Sequence, residues 1–152
     1  MHDNVDIAIN NKYSIHSFYV GGFEMEITIG MCGEVSSLVE REDTAQIVGS
    51  GSLLVYATPC MVALMEGAAC EAIAAALPEG KTTVGIELAI KHLSATPVGL
   101  EVTAKAEVIE SDGKIITFKV TASDEAGLIG EGTHKRAVVT TQRFLDKTYE
   151  KV

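Results

Sequence analysis

The feature that most constrains this chain lies near its middle: Thr58-Pro59, then CMVALMEGAACEAIAAAL, then Pro78-Glu79-Gly80. Alanine, leucine and methionine are strong helix formers, and the proline and glycine that follow stop the helix. Threonine caps helix N-termini well and proline suits the first helical position, so Thr58 is expected as the N-cap. The helix is apolar on nearly every face, interrupted only by Glu66 and Glu71. A helix of that kind has to be buried inside something.

The rest of the chain supplies the covering. Thr82 to Ala95 is long and rich in β-branched residues. Leu100 to Ile109 alternates, with Val102, Ala104, Ala106 and Val108 on one face. Ser111-Asp112-Gly113-Lys114 reads as a hairpin turn before a strand at Ile115 to Ser123. A second turn at Asp124 to Gly127 leads into Leu128 to Thr141. Ahead of the helix, Glu34 to Arg41 reads as a short strand ending in Glu42-Asp43-Thr44. Gly49-Ser50-Gly51-Ser52 then lets the backbone turn sharply or approach another group closely. Strand, buried helix and four consecutive strands imply an α+β chain, an antiparallel sheet wrapped around one long helix: the hotdog fold. The domain is expected at residues 24–144. Residues 1–23 are polar and patternless, a tail or an added strand with a second possible start at Met25, and 145–152 form a charged tail.

Composition narrows the function. At 152 residues, 47% apolar and 22% charged, the chain fits one domain with a hydrophobic core. It lacks the roughly 20 uninterrupted apolar residues of a membrane span. Its N-terminus lacks the pattern of a secretory signal, so a cytoplasmic location is expected. The net charge of −9 argues against a nucleic-acid partner, which is bound through clustered Lys and Arg. A helix N-terminus and one or two local cations can still hold a small anion. Cys32, Cys60 and Cys70 do not pair at metal-site spacing, and Cys60 and Cys70 read as small buried apolar residues. No metal and no cofactor are expected.

Three polar residues stand out against this background. Glu66 is a carboxylate in the middle of an apolar helix, so it should be paired, protonated or facing a wet cavity. It reads as a structural hydrogen-bonding group or as a general base or orienting carboxylate. His92 lies in the strand pattern Ile86 to His92, where a lone histidine is more often structural than catalytic. Thr58 already has a capping role. Taken together, a hydroxyl, an imidazole and a carboxylate are the parts of an activated nucleophile.

The runs Tyr56 to Glu66, Gly85 to Gly99 with His92-Leu93-Ser94-Ala95-Thr96-Pro97, and Gly132-Thr133-His134-Lys135-Arg136-Ala137-Val138 resemble the fluoroacetyl-CoA thioesterase branch of the hotdog superfamily. The resemblance covers about Gly30 to Phe144 and implies acyl-CoA hydrolysis, with Thr58, Glu66 and His92 as the catalytic set. It also implies Gly85 at the acyl site, helping to hold the carbonyl oxygen, and Arg136 in the site network or at CoA. The fluoroacetyl enzyme carries aromatic lid residues where this chain has Gly49 to Ser52, a departure that bears on fluoroacetyl selectivity.

Spacing adds a constraint of its own. Thr58 and Glu66 are eight positions apart, roughly 12 Å along a helix axis. If both serve one site, a strand residue bridges them or a second subunit contributes one. A homodimer with the site at its interface, alone or as a dimer of dimers, is therefore expected. The competing readings are a hotdog acyl-CoA hydratase or dehydratase, a non-catalytic acyl-CoA-binding protein, and a purely structural role for Glu66 and His92 in holding a dimer together.

Overall fold

A computed structural model of the chain describes residues 26–152. The segment 1–23, expected as a tail or an added strand, lies outside the described residues. Five strands, β1 (Cys32–Leu38), β2 (Lys81–His92), β3 (Glu101–Ser111), β4 (Ile115–Asp124) and β5 (Gly127–Thr140), form one antiparallel sheet in the order β1-β3-β4-β5-β2. Three helices accompany it: the short α1 (Ala45–Val48), the long α2 (Thr58–Ile73), which tightens into a 3-10 turn at Ala74–Ala76, and α3 (Thr141–Tyr149).

The alternation read in the sequence places the core. Val102, Ala104, Ala106 and Val108 of β3 and Ile116, Phe118, Val120 and Ala122 of β4 are all buried. They face α2, which buries Met61, Leu64, Met65, Ala68, Ala69 and Ile73. The helix lies so close to β1 that a Cβ on Gly33 would overlap the Ala68 carbonyl and the Ala72 amide. By length and apolarity alone the 19 residues Thr58–Ala76 could cross a membrane, but here one face of that segment is packed on the sheet.

The structure departs from the sequence reading in several particulars. The sheet covers only one side of α2: Pro59, Ala63, Cys70 and Ala74 on the other side are exposed in the single chain. Cys70 is therefore not a buried apolar residue here, and Cys60 is only partly covered. The first strand is shifted, running Cys32–Leu38, because the chain turns at Glu40, whose N–H donates to Asp43 Oδ2 at 2.9 Å and starts a 3-10 turn. Residues expected as a charged tail form α3, which leaves Phe144 and Leu145 partly exposed.

Thr58 is not the N-cap. Ala57 holds that position with extended backbone, and its carbonyl accepts the Cys60 and Met61 N–H groups, both at 3.0 Å. With Thr58 already in the helix and Pro59 offering no N–H, the threonine hydroxyl has no capping bond to make.

Candidate active site

The hydroxyl left over from capping finds an imidazole. Thr58 Oγ1 lies 2.8 Å from His92 Nδ1. Local backbone bonds hold the two side chains in register. The Ala57 N–H donates to the Asp43 carbonyl at 2.8 Å and the Tyr56 N–H to the Thr96 carbonyl at 2.9 Å. Val55 also bridges to Pro97, so the approach to α2 is stitched to the segment that leaves β2. His92 ends β2, and the next N–H, that of Leu93, is tied to the Ile129 carbonyl at 2.7 Å. Around the pair, Ala45, Ser50, Val55, Tyr56, Leu93, Ser94 and Ala95 line an open cleft of about 380 Å³. The glycines expected to turn the chain do so: Gly49 takes a φ of 86° at the end of α1, and the Ser50 and Gly51 N–H groups fold back onto the Ala45 carbonyl.

Among the described residues, His92 Nε2 is the buried side-chain polar atom without a hydrogen-bond partner. A histidine whose Nδ1 faces a hydroxyl is oriented for base chemistry when its Nε2–H is accepted by a carboxylate, which fixes the tautomer that leaves Nδ1 free to take a proton.

Glu66, the carboxylate predicted for that task, is elsewhere in the chain. Its Oε2 accepts from Arg136 Nη1 at 3.1 Å and lies 3.5 Å from His134 Nε2, with 35% of the side chain exposed. Arg136 is buried and further anchored on Thr83, donating from Nε to the hydroxyl at 2.8 Å and from Nη2 to the carbonyl at 3.0 Å. Its Nη1 also donates to His134 Nε2 at 3.1 Å. Pairing with a buried cation answers the question the sequence posed about a carboxylate in an apolar helix. Among Thr58, Glu66 and His92, the chain therefore joins Thr58 to His92 and keeps Glu66 apart, in a second cluster with Arg136, His134 and Thr83.

The tautomer of His134 follows from its neighbours. Its Nδ1 is 2.9 Å from the Glu87 carbonyl, which can only accept, so Nδ1 carries the proton and Nε2 presents a lone pair to Arg136. Burial holds this imidazole below its ordinary pKa, and the Arg136 guanidinium adds to that against the opposing pull of the Glu87 carbonyl and Glu66. His134 lies in the Gly132 to Val138 run, which by itself assigns it no role. Its i, i+2 spacing from Arg136 on a strand, which puts both on the helix-facing side, was the available signal.

Gly85 belongs to the Glu66 cluster. It sits where the β2–β5 register shifts, between Gly85 and Glu87, and a Cβ there would lie 2.5 Å from Glu66 Oε2. The obstructing atom is the end of a flexible side chain, so Gly85→Ala is expected to move the carboxylate off Arg136 rather than disturb the fold. The expected outcome is a melting temperature close to wild type with catalysis reduced about 10- to 100-fold. Parallel thermal melts and rate assays check it, and an unchanged rate would show that the position of Glu66 does not matter.

The comparisons with known proteins agree with this architecture. Residues 39–142 match the family model FlK, fluoroacetyl-CoA-specific thioesterase. The fluoroacetyl-CoA thioesterase of Streptantibioticus cattleyicolor is 40% identical over 97 residues, which span 64% of this chain and 70% of that protein. A crystal structure of FlK superposes with a TM-score of 0.78 at 32% identity, covering 83% of this chain and 98% of that one. An FlK variant in complex with fluoroacetate and CoA gives 0.73 at 32% identity over 78% and 99%. A Thermus thermophilus member of the thioesterase superfamily gives 0.73 at 28% identity over 83% and 98%. The chain belongs to the fluoroacetyl-CoA-specific thioesterase family and is a hotdog-fold thioesterase.

Proposed function

We propose that this chain hydrolyses small acyl-CoA thioesters at a site assembled from two copies, Thr58 and His92 coming from one and Glu66 from the other. The observation that carries the reading is the 2.8 Å contact between the Thr58 hydroxyl and His92 Nδ1, beside an Nε2 that has no partner among the described residues.

The geometry of β2 supports the second copy. β2 is an edge strand, and Ile86 and Leu88 on it are 52% and 43% exposed. An edge of that kind pairs readily with another strand. His92 and Gly85 both face the helix side, opposite Gly130 and Arg136 of β5. They are seven residues apart, roughly 23 Å along a strand, so one chain cannot bring His92 to the Glu66 that abuts Gly85. Antiparallel pairing of two β2 edges about a two-fold axis at Ala89, with Ile86 as the extra residue as it is against β5, sets His92 of one copy opposite Gly85 of the other. Glu66 of the second copy then faces His92 Nε2. The same docking covers the open face of α2 around Ala63.

In this arrangement the carboxylate accepts the Nε2–H of His92, and Nδ1 takes the proton from Thr58 Oγ1. The hydroxyl oxygen attacks the thioester carbonyl, and backbone N–H groups at the Gly85–Glu87 irregularity stabilise the oxyanion. The C–S bond breaks and the thiol of CoA leaves with the proton held on His92. Water activated by the same imidazole then releases the acid. Arg136, with its donors committed to Thr83, His134 and Glu66, serves to hold Glu66 rather than to grip a CoA phosphate. Fluoroacetyl selectivity is not part of the proposal, because Gly49 to Ser52 occupy the place of the aromatic lid.

The direct Thr58–His92 contact favours Thr58 itself as the nucleophile. Mass spectrometry of enzyme quenched during turnover of short acyl-CoAs should find an acyl adduct on Thr58, absent from Thr58→Ala. Turnover in wild type without any adduct would assign the attack to water. Unimpaired thiol release in Thr58→Ala would likewise assign the attack to water, whereas hydration of an enoyl-CoA with no thiol released would favour the hydratase reading, which needs no hydroxyl. Tight binding of acyl-CoA with no thiol released would favour the binding-protein reading.

A further inference from the structure

We propose that His134 is a positioning residue: held neutral between the Glu87 carbonyl and Arg136, it aims the Arg136 guanidinium at Glu66 and so sets the carboxylate that serves His92. This rests on the role given to Glu66 above.

The hydrogen bonds of Arg136 carry the argument. A guanidinium is a rigid planar fork with five N–H donors. Thr83 takes one from Nε and one from Nη2, which fixes the plane of the fork. The two hydrogens on Nη1 then point in set directions, one to His134 Nε2 and the other to Glu66 Oε2, both at 3.1 Å. His134 is 1% exposed, so without its lone pair a buried Nη1–H would be left without an acceptor. The other acceptor of Nη1 is Glu66 Oε2, and turning further toward it would shift the carboxylate.

The surroundings keep the imidazole in its accepting form. The Phe118 ring on β4 stacks against it at 6.2 Å and 28°, Arg136 faces it from β5, the Glu87 carbonyl faces it from β2 and Glu66 approaches from α2. The Glu87 carboxylate is turned away and paired with Lys135 at 3.1 Å. A protonated His134 could not accept from Arg136, and its Nε2–H, 3.5 Å from Glu66 Oε2, would compete for the carboxylate instead. Protonation thus converts the anchor of Arg136 into its rival.

The test uses the full chain and thiol release from acetyl-CoA. Glutamine can place an amide oxygen near the Nε2 position, whereas asparagine reaches only the Nδ1 position and phenylalanine offers no acceptor at all. His134→Phe and His134→Asn are expected to lose about 10- to 100-fold in kcat with little change in KM, and His134→Gln to recover most of the loss. Nitrogen-15 spectra of the wild type, with the His134 signal assigned by its absence from His134→Gln, are expected to show the Nδ1–H tautomer near neutral pH. Wild-type kcat in His134→Phe would overturn the proposal, as would equal losses in the asparagine and glutamine variants or an Nε2–H or charged imidazole in the spectrum. If His134→Phe does not fold, the glutamine and asparagine pair and the spectrum decide. Absence of thiol release from the wild type itself would overturn the thioesterase site instead, and the tautomer would then decide the placement of His134 alone.

Discussion

His92→Ala is expected to lower kcat for thiol release from short acyl-CoAs by about 10²- to 10⁴-fold, the range a positioned general base contributes. Removing the imidazole is not a folding problem, because the side chain is only part-buried at the end of β2 and its hydrogen bond is to Thr58. A stability change of about 0.5 kcal/mol or less follows. KM should move little, since in the proposed mechanism the imidazole serves the Thr58 hydroxyl rather than the body of CoA. A fall confined to kcat is what loss of a transition-state interaction looks like. The measurement is steady-state thiol release beside a urea melt. A variant that kept near wild-type kcat would remove His92 from the chemistry and leave the Thr58 contact a structural one.

Much of the fold was legible because its signals are local. The alternation of β3 named the core residues Val102, Ala104, Ala106 and Val108, and the turn at Ser111 to Lys114 fell where Asp112 Oδ1 accepts the Lys114 and Ile115 N–H groups. The limits were also physical. Thr58 looks like a cap by residue type, and only the extended backbone of Ala57 shows that the helix begins one residue earlier. The pattern could not tell which face of an all-round apolar helix its own sheet would cover, since composition carries no direction. The twelve-residue β2 runs past the helix, so proximity along α2 said nothing about where Glu66 would find a partner. That partner, Arg136, is 70 positions away in sequence and meets Glu66 only through the pairing of β2 with β5. The resemblance put Thr58, Glu66 and His92 in one set, but the division of that set between two clusters belongs to three dimensions.

That division supplies the second large effect. Glu66→Gln and His92→Ala, each nearly inactive alone, are expected to recover about a quarter of wild-type activity when mixed and allowed to exchange subunits. The figure follows from symmetry: random reassortment makes half of the dimers mixed, and in each of those one of two equivalent sites joins an intact His92 to an intact Glu66. Thr58→Ala mixed with Glu66→Gln should recover activity to the same level, because Thr58 and His92 come from one chain. Thr58→Ala mixed with His92→Ala should recover none, since every site then lacks one member of the contacting pair. Differently tagged copies, purified as mixed dimers, show that exchange has taken place. Recovery in the third mixture, or none in the first two once mixed dimers are in hand, would mean that β2 does not bring the carboxylate of one copy to the histidine of the other. The proposed site takes its base from one copy and its orienting carboxylate from the other, so the same dimers diluted until they dissociate should lose activity in step with the loss of the dimer.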